Sequence, residues 1–184
     1  ILPGAASAQP VNTGHLTAEL VSAVQGVAPG QTIQVALRQD IQKDWHTYWR
    51  NAGDSGEATQ IAWTLPTGWS ASGFTWPTPH RIPFGPLVNY GYEGEVLLPM
   101  TVTAPAGATP GGTVTLRAKA TFLVCADICI PEEATLALAL PVTAQPAPAD
   151  PRWGARIERA VAEAPKPAGL VAAFERSGEV LKLA

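Results

Sequence analysis

The sequence predicts an all-β chain, an antiparallel β-sandwich or barrel followed by one short C-terminal helix. Three observations carry that expectation. Apolar and polar residues alternate with period two along segment after segment, as half-buried strands require. Pro-Gly and Gly-Asp clusters separate those segments at short intervals. Hydrophobic residues make up 46% of the 184 positions and charged ones only 15%, enough apolar matter for a real core.

In chain order, Leu16 to Val24 is the first candidate strand. In the next, Ile33, Val35 and Leu37 face one way while Thr32, Gln34 and Arg38 face the other. Thr59 to Leu65 follows, after the turn Gly53-Asp54-Ser55-Gly56. Residues 77 to 94 interrupt the rhythm. Pro77, Pro79, Pro83, Gly85, Pro86, Gly91 and Gly94 predict an ordered irregular loop, anchored by Phe84, Leu87, Tyr90 and Tyr92. Alternation resumes at Val96, Leu98, Met100 and Val102. It then runs long from Thr113, where Val114, Leu116, Ala118, Ala120, Phe122 and Val124 share one face, and recurs at Leu136, Leu138 and Leu140. Residues 144–151 read as a linker. Asp150 as N-cap and Pro151 at the first helical position open a helix whose stripe is Trp153, Ile157, Ala160, Val161 and Ala164, ended by Pro165 and Pro167. Glu179 to Ala184 alternates like a strand with no following partner, the start of a second domain in a longer protein.

The division that results is a leader over 1–13, a β-sandwich domain over 14–143, and a linker, helix and domain start over 144–184. The leader reading rests on Ala6-Ser7-Ala8, a small-x-small pattern of the kind that closes a secretory signal. Export would place the chain where a Cys pair persists oxidised. Formal net charge is -3 with no basic run, which argues against nucleic acid as a partner. No apolar run approaches the roughly 20 residues of a membrane-spanning helix.

The two cysteines stand in Cys125-Ala126-Asp127-Ile128-Cys129. A disulfide there closes a five-residue loop, and chain entropy assigns it only about 2 kcal/mol, against about 4.7 for a 100-residue loop. Such a pair is better placed for reactivity than for stapling. A strand that continues through Cys125 sets this residue opposite Phe122 and Val124, outside the core and open to a partner. Lys119 shares that face roughly 20 Å away. The nearer charges, Asp127, Glu132 and Glu133, disfavour a thiolate and predict a reduced pair that is sluggish until a partner docks.

Three readings stay open on residues alone: redox exchange, a structural hairpin clip, and metal binding. The last needs further ligands from His15, His46, His80, Met100 or carboxylates, a set that suits copper or zinc. A Cys-x-x-x-Cys with a distant His is similar to copper-delivery proteins of thioredoxin fold. Their motif lies between strand and helix, whereas Pro131 and the strand-like 134–142 follow here. In Asp44-Trp45-His46-Thr47-Tyr48-Trp49-Arg50, an extended strand turns Trp45, Thr47 and Trp49 to one side and leaves His46 and Tyr48 partly wet on the other. Trp63, Trp69 and Trp76 read as core or loop anchors.

The stretch from Trp45 to Gly56, Trp-His-Thr-Tyr-Trp-Arg-Asn-Ala-Gly-Asp-Ser-Gly, resembles the N-terminal periplasmic domain of DsbD-type thiol:disulfide interchange proteins, and most closely their ScsB (suppression of copper sensitivity) branch. Three more stretches agree in order: Trp63-Thr64-Leu65-Pro66-Thr67-Gly68-Trp69, Arg81-Ile82-Pro83-Phe84-Gly85-Pro86-Leu87 with Tyr90-Gly91-Tyr92, and Cys125 through Pro131. The likeness spans about residues 14 to 142. It implies an immunoglobulin-like fold with a redox-active Cys125–Cys129 pair and no organic cofactor. It further implies a periplasmic domain, monomeric when isolated, that belongs to an inner-membrane protein. There it would take reducing equivalents from membrane-embedded and thioredoxin-like domains of the same protein and pass them to thioredoxin-like, disulfide-isomerase or peroxide-handling partners.

The resemblance implies that Cys129 is the attacking sulfur. It also implies an aromatic cap over the sulfurs, for which Phe84, in the loop with Gly85, is the match and Tyr90 or Tyr92 are alternates. His46, Tyr48 and Asp127 are the expected neighbours of the cysteines. His46 departs from the Tyr of better-known members, and the Cys spacing is shorter than theirs.

Overall fold

The computed structural model describes residues 6–166, 169 and 173–183. Two antiparallel sheets pack face to face. One contains, in spatial order, β1 (Ser7–Ala8), β12 (Cys129–Pro141), β11 (Thr113–Cys125), β5 (His46–Gly53), β9 (Leu87–Glu93) and β8 (His80–Phe84), with β6 (Gln60–Thr64) also paired to β11. The other runs β2 (Val11–Asn12), β3 (Leu16–Ser22), β4 (Thr32–Ile41), β10 (Glu95–Thr103) and β7 (Ser70–Ala71). The expected all-β sandwich with one short helix is the observed architecture.

Alternation decides what faces inward. Leu20, Val35, Leu37, Leu98 and Met100 from one sheet meet Leu116, Ala120, Phe122, Leu136, Leu138 and Leu140 from the other, in a single core. The Trp residues at 45, 49, 63, 69 and 76 pack around its rim, partly buried.

The helix α1 (Gly154–Ala162) covers the outer face of the second sheet. Trp153, Ile157 and Ala160 bury against Val21, Ala36 and Leu97 in a smaller second core. Asp150 serves the helix start one turn early, its carboxylate accepting from the N–H groups of Arg152 and Trp153. Arg38, Arg152 and Arg156 lie over the Trp153 ring at 5.8, 4.4 and 4.7 Å from its centroid.

Three expectations need correction. The segment expected to be irregular is mostly a hairpin, since β8 and β9 pair continuously from His80↔Gly91 to Phe84↔Leu87. Pro83 fits because β8 is an edge strand, where a missing N–H costs no ladder bond. Gly85, at φ 57°, opens the two-residue turn with the positive φ that a type II′ hairpin places there. Residues 7–8 and 11–12, expected within a leader, pair with β12 and β3. The 144–151 segment is not a free linker, for it is tied along 23–25 by Gln25 N–H to Pro148 O and Asp150 N–H to Ala23 O. The strand expected near the end of the chain is present as β14 (Val180–Leu183), paired with the preceding β13 (Phe174–Ser177). The leader reading for 1–5 and the helix-ending role of Pro167 lie outside the described residues.

Candidate functional site: a disulfide at the end of a hairpin

Among the described residues β11 and β12 form the longest hairpin, paired from Thr113↔Pro141 to Cys125↔Cys129. Directly opposed residues bring their side chains together at the last rung. There Cys125 and Cys129 are bonded, with Cα atoms 4.1 Å apart. Only Ala126, Asp127 and Ile128 lie between them, closed by Ala126 N–H to Ile128 O at 3.0 Å. Asp127 is exposed, and Ile128 at the tip is 64% exposed.

The two sulfur-bearing residues are not equivalent. Cys125 does point away from Phe122 and Val124, yet it is only 2% exposed, which corrects the expectation that it stands open to a partner. The reason is its place within the sheet. Its register partner on one side is Cys129 and on the other is His46 of β5, so it is flanked on both sides. Cys129 is the exposed member.

β5 supplies the neighbours. Because His46 is level with Cys125 and Tyr48 is two residues on, both side chains rise on the disulfide face. His46 Nε2 is 3.2 Å from Tyr48 Oη, which lies 3.7 Å from Cys129 Sγ. These two rings are buried, at 5% and 2% exposure, and not partly wet as the strand pattern alone suggested. Burial lowers the His46 pKa below its usual value, opposed in part by the Glu93 carboxylate across the sheet, and raises that of the Tyr48 hydroxyl.

A glycine turn makes room for Tyr48. Gly56, at φ 98°, passes so close to the ring that a Cβ would lie 2.2 Å from Tyr48 Cε1. The same turn grips the neighbouring hairpin: the Ser55 N–H donates to Asn89 Oδ1 and the Val88 N–H to Asp54 Oδ2. Gly91 lets β9 approach β5, since a Cβ there would meet Thr47 O at 2.0 Å. In the sequence the Gly-Asp-Ser-Gly cluster marks a turn and ends the Trp45–Gly56 motif, without revealing that it seats Tyr48. Its closeness to a Tyr-bearing strand was the available signal.

Register also sorts the three aromatic candidates for a cap. Gly91 pairs with both Tyr48 and His80, so His80, Ile82 and Phe84 share the disulfide face, whereas Tyr90 and Tyr92 point to the opposite one. Tyr92 is buried in the main core and its hydroxyl donates to Pro77 O. Tyr90 is 38% exposed on that other face. Phe84, 42% exposed at the hairpin tip beside Gly85, is the one cap candidate on the side of the sulfurs.

The acidic neighbours divide as well. Glu132 is buried on the inner side, where it accepts from the Thr13 hydroxyl and the His15 N–H and pairs with His15 Nδ1 at 2.5 Å. His15 in turn stacks on Trp45 at 3.8 Å. Glu132 thus fastens the start of β3 to β12 rather than facing the sulfurs, and nothing local in the sequence signalled the pair. Glu133 is exposed and paired with Lys119 at 2.7 Å. Of the metal candidates, Met100 is enclosed in the core, His15 is held by Glu132, and His80 is exposed on β8. Of the three histidines, His46 alone stands beside the sulfurs, level with Cys125 on the adjacent strand. Among the described residues no three His, Cys, Asp or Glu side chains converge as a metal site.

A β-sandwich with a short-loop disulfide at a hairpin end, one cysteine exposed and the other buried, fits the class of thiol–disulfide exchange domains. The chain belongs to the family described as thiol:disulfide interchange protein DsbD, N-terminal, whose model matches residues 17–141. In structure it is similar to the N-terminal periplasmic domain of ScsB from Proteus mirabilis, at 20% identity and a TM-score of 0.68, over 97% of this chain and 68% of that one. A more distant likeness, to the GAE domain of yeast GGA1, has 12% identity and a TM-score of 0.39 over 74% of this chain and all of the other. No curated protein sequence matches this chain.

Proposed function

We propose that the chain is a periplasmic electron shuttle, reduced by a membrane-embedded conduit with a thioredoxin-like domain and oxidised by thioredoxin-like or disulfide-isomerase partners. The observation that carries the reading is the asymmetry of the pair, exposed Cys129 bonded to buried Cys125. A donor thiolate can reach only the Cys129 sulfur. Its attack there forms a mixed disulfide and expels Cys125 as thiolate. The donor's second thiolate then attacks its own bridging sulfur and releases Cys129. Two electrons have entered, and two protons from solvent complete the dithiol.

Delivery runs the same steps backwards. The Cys129 thiolate attacks a partner disulfide, Cys125 attacks Cys129 Sγ, and the partner leaves reduced. No organic cofactor or metal takes part in either exchange. Phe84 acts as a lid, screening the Cys129 side until a cognate surface displaces it, so access sets the rate.

The test is to mix the oxidised chain with a reduced thioredoxin-like donor and count thiols. Two new thiols per chain are expected. A Cys125→Ala variant should accumulate a covalent adduct with a partner disulfide, while Cys129→Ala should not. No thiol gain above a buffer control, or adducts formed equally through either sulfur, would overturn the reading.

A further inference from the structure

We propose that His46 controls the proton on Cys129 through Tyr48, so that the attacking thiolate forms by relay within the domain. The inference rests on the exchange reading above and adds to it a proton path. When the pair is reduced, the Cys129 S–H faces Tyr48 Oη and the Tyr48 O–H faces His46 Nε2. The arrangement comes from the 3.7 and 3.2 Å separations and from the shared strand face. As the sulfur attacks, its proton passes to Tyr48 Oη while the Tyr48 proton passes to His46 Nε2. The products are a thiolate and an imidazolium, with Tyr48 neutral at the start and at the end. When the partner's thiolate leaves, His46 returns the proton to it or to solvent, and the balance closes.

Three features of the surroundings support the relay. Both rings are buried, and among the described residues the hydrogen-bond partners of Tyr48 Oη are His46 and Cys129 alone. Burial keeps His46 neutral near pH 7, the state that can accept a proton. The charged and titratable groups facing it are Glu93 on β9, Tyr48 on its own strand, and Cys125 and Cys129 on β11 and β12. Of these, the Glu93 carboxylate favours the imidazolium that the transfer creates. In this arrangement Tyr48 is a catalytic residue, touching the reacting sulfur, and His46 is a positioning residue that acts through it. The position also makes chemical sense of a titratable ring inside the sheet, where a phenol would offer no base in the neutral range.

The test reads Cys129 alone. In the full 184-residue chain carrying Cys125→Ala, the rate of alkylation by iodoacetamide is followed from pH 5 to 10, with and without Tyr48→Phe, His46→Gln and the pair. Gln keeps an amide to bond Tyr48 but cannot accept a proton, and circular dichroism verifies that each variant is folded. Each single change should slow alkylation at pH 7 by about tenfold, the size of one hydrogen bond to a charged group. It should also move the profile to higher pH by about one unit, that tenfold expressed on the pH axis. The double variant should be no slower than Tyr48→Phe alone, because one path is cut only once. An unmoved profile in either single variant, or losses that multiply in the double, would overturn the proposal. Iodoacetamide needs no partner protein, so a failed relay leaves the donor-exchange result standing, and a failed donor exchange leaves the relay measurable.

Discussion

Replacing Gly56 by Ala sets a methyl group against Tyr48, the side chain that touches the Cys129 sulfur. At φ 98° any Cβ is strained, and here it would sit 2.2, 2.3 and 2.5 Å from Tyr48 Cε1, Cζ and Cδ1. The ring cannot retreat, being fully enclosed at 2% exposure. The left-handed backbone alone costs roughly 1–2 kcal/mol, and overpacking of this kind about 1–3 kcal/mol. The expected loss is therefore about 3 kcal/mol, or a fall in Tm of about 6–12 °C for a domain of this size. Urea unfolding followed by tryptophan fluorescence measures it. Gly94→Ala is the matched control, since its φ is 63° and nothing lies within 4 Å of its Cβ. It should lose the backbone share only. If Gly56→Ala proves no less stable than Gly94→Ala, the turn does not seat Tyr48 and the account of the site is wrong.

Other outcomes are expected along the same lines. Phe84→Ala should speed reduction of the disulfide by small thiols, and equal rates in mutant and parent would reject the gating role. Trp153→Ala removes the centre of the second core and the ring beneath three guanidinium groups, so a loss of about 3–5 kcal/mol is expected in urea unfolding. His46 has a folded pKa below its unfolded one, so the unfolded chain binds the extra proton as pH falls below about 6.5. Its contribution to stability is complete above that value and is lost towards acid. Unfolding curves at pH 5 and 7.5 should therefore differ less in His46→Gln than in the parent.

Much of the fold was legible because half-buried strands write their burial into alternate positions. Val114 through Val124 and Leu136 through Leu140 show it plainly, and both long strands appear where the pattern put them. The rule fails where a strand has no two simple faces. Cys125 lies on the outer face, but in mid-sheet beside β5, and burial there comes from a neighbour that period two cannot reveal. Proline misled for a related reason. Its missing N–H breaks a ladder only in a central strand, and position within a sheet is a tertiary fact that Pro83 alone does not disclose. The His15–Glu132 pair joins residues 117 apart and was beyond any local reading. The candidate sulfurs, by contrast, were legible at once, because a five-residue ring is a poor staple.

The outermost strand of the disulfide-bearing sheet has one more consequence. Strand β8 ends the sheet with Pro83 in mid-strand, and its other residues include exposed His80 and Arg81. A foreign polypeptide trying to zip on as an extra strand would find a donor missing and a cation in its way. That border is guarded against fibrils and against β-augmentation.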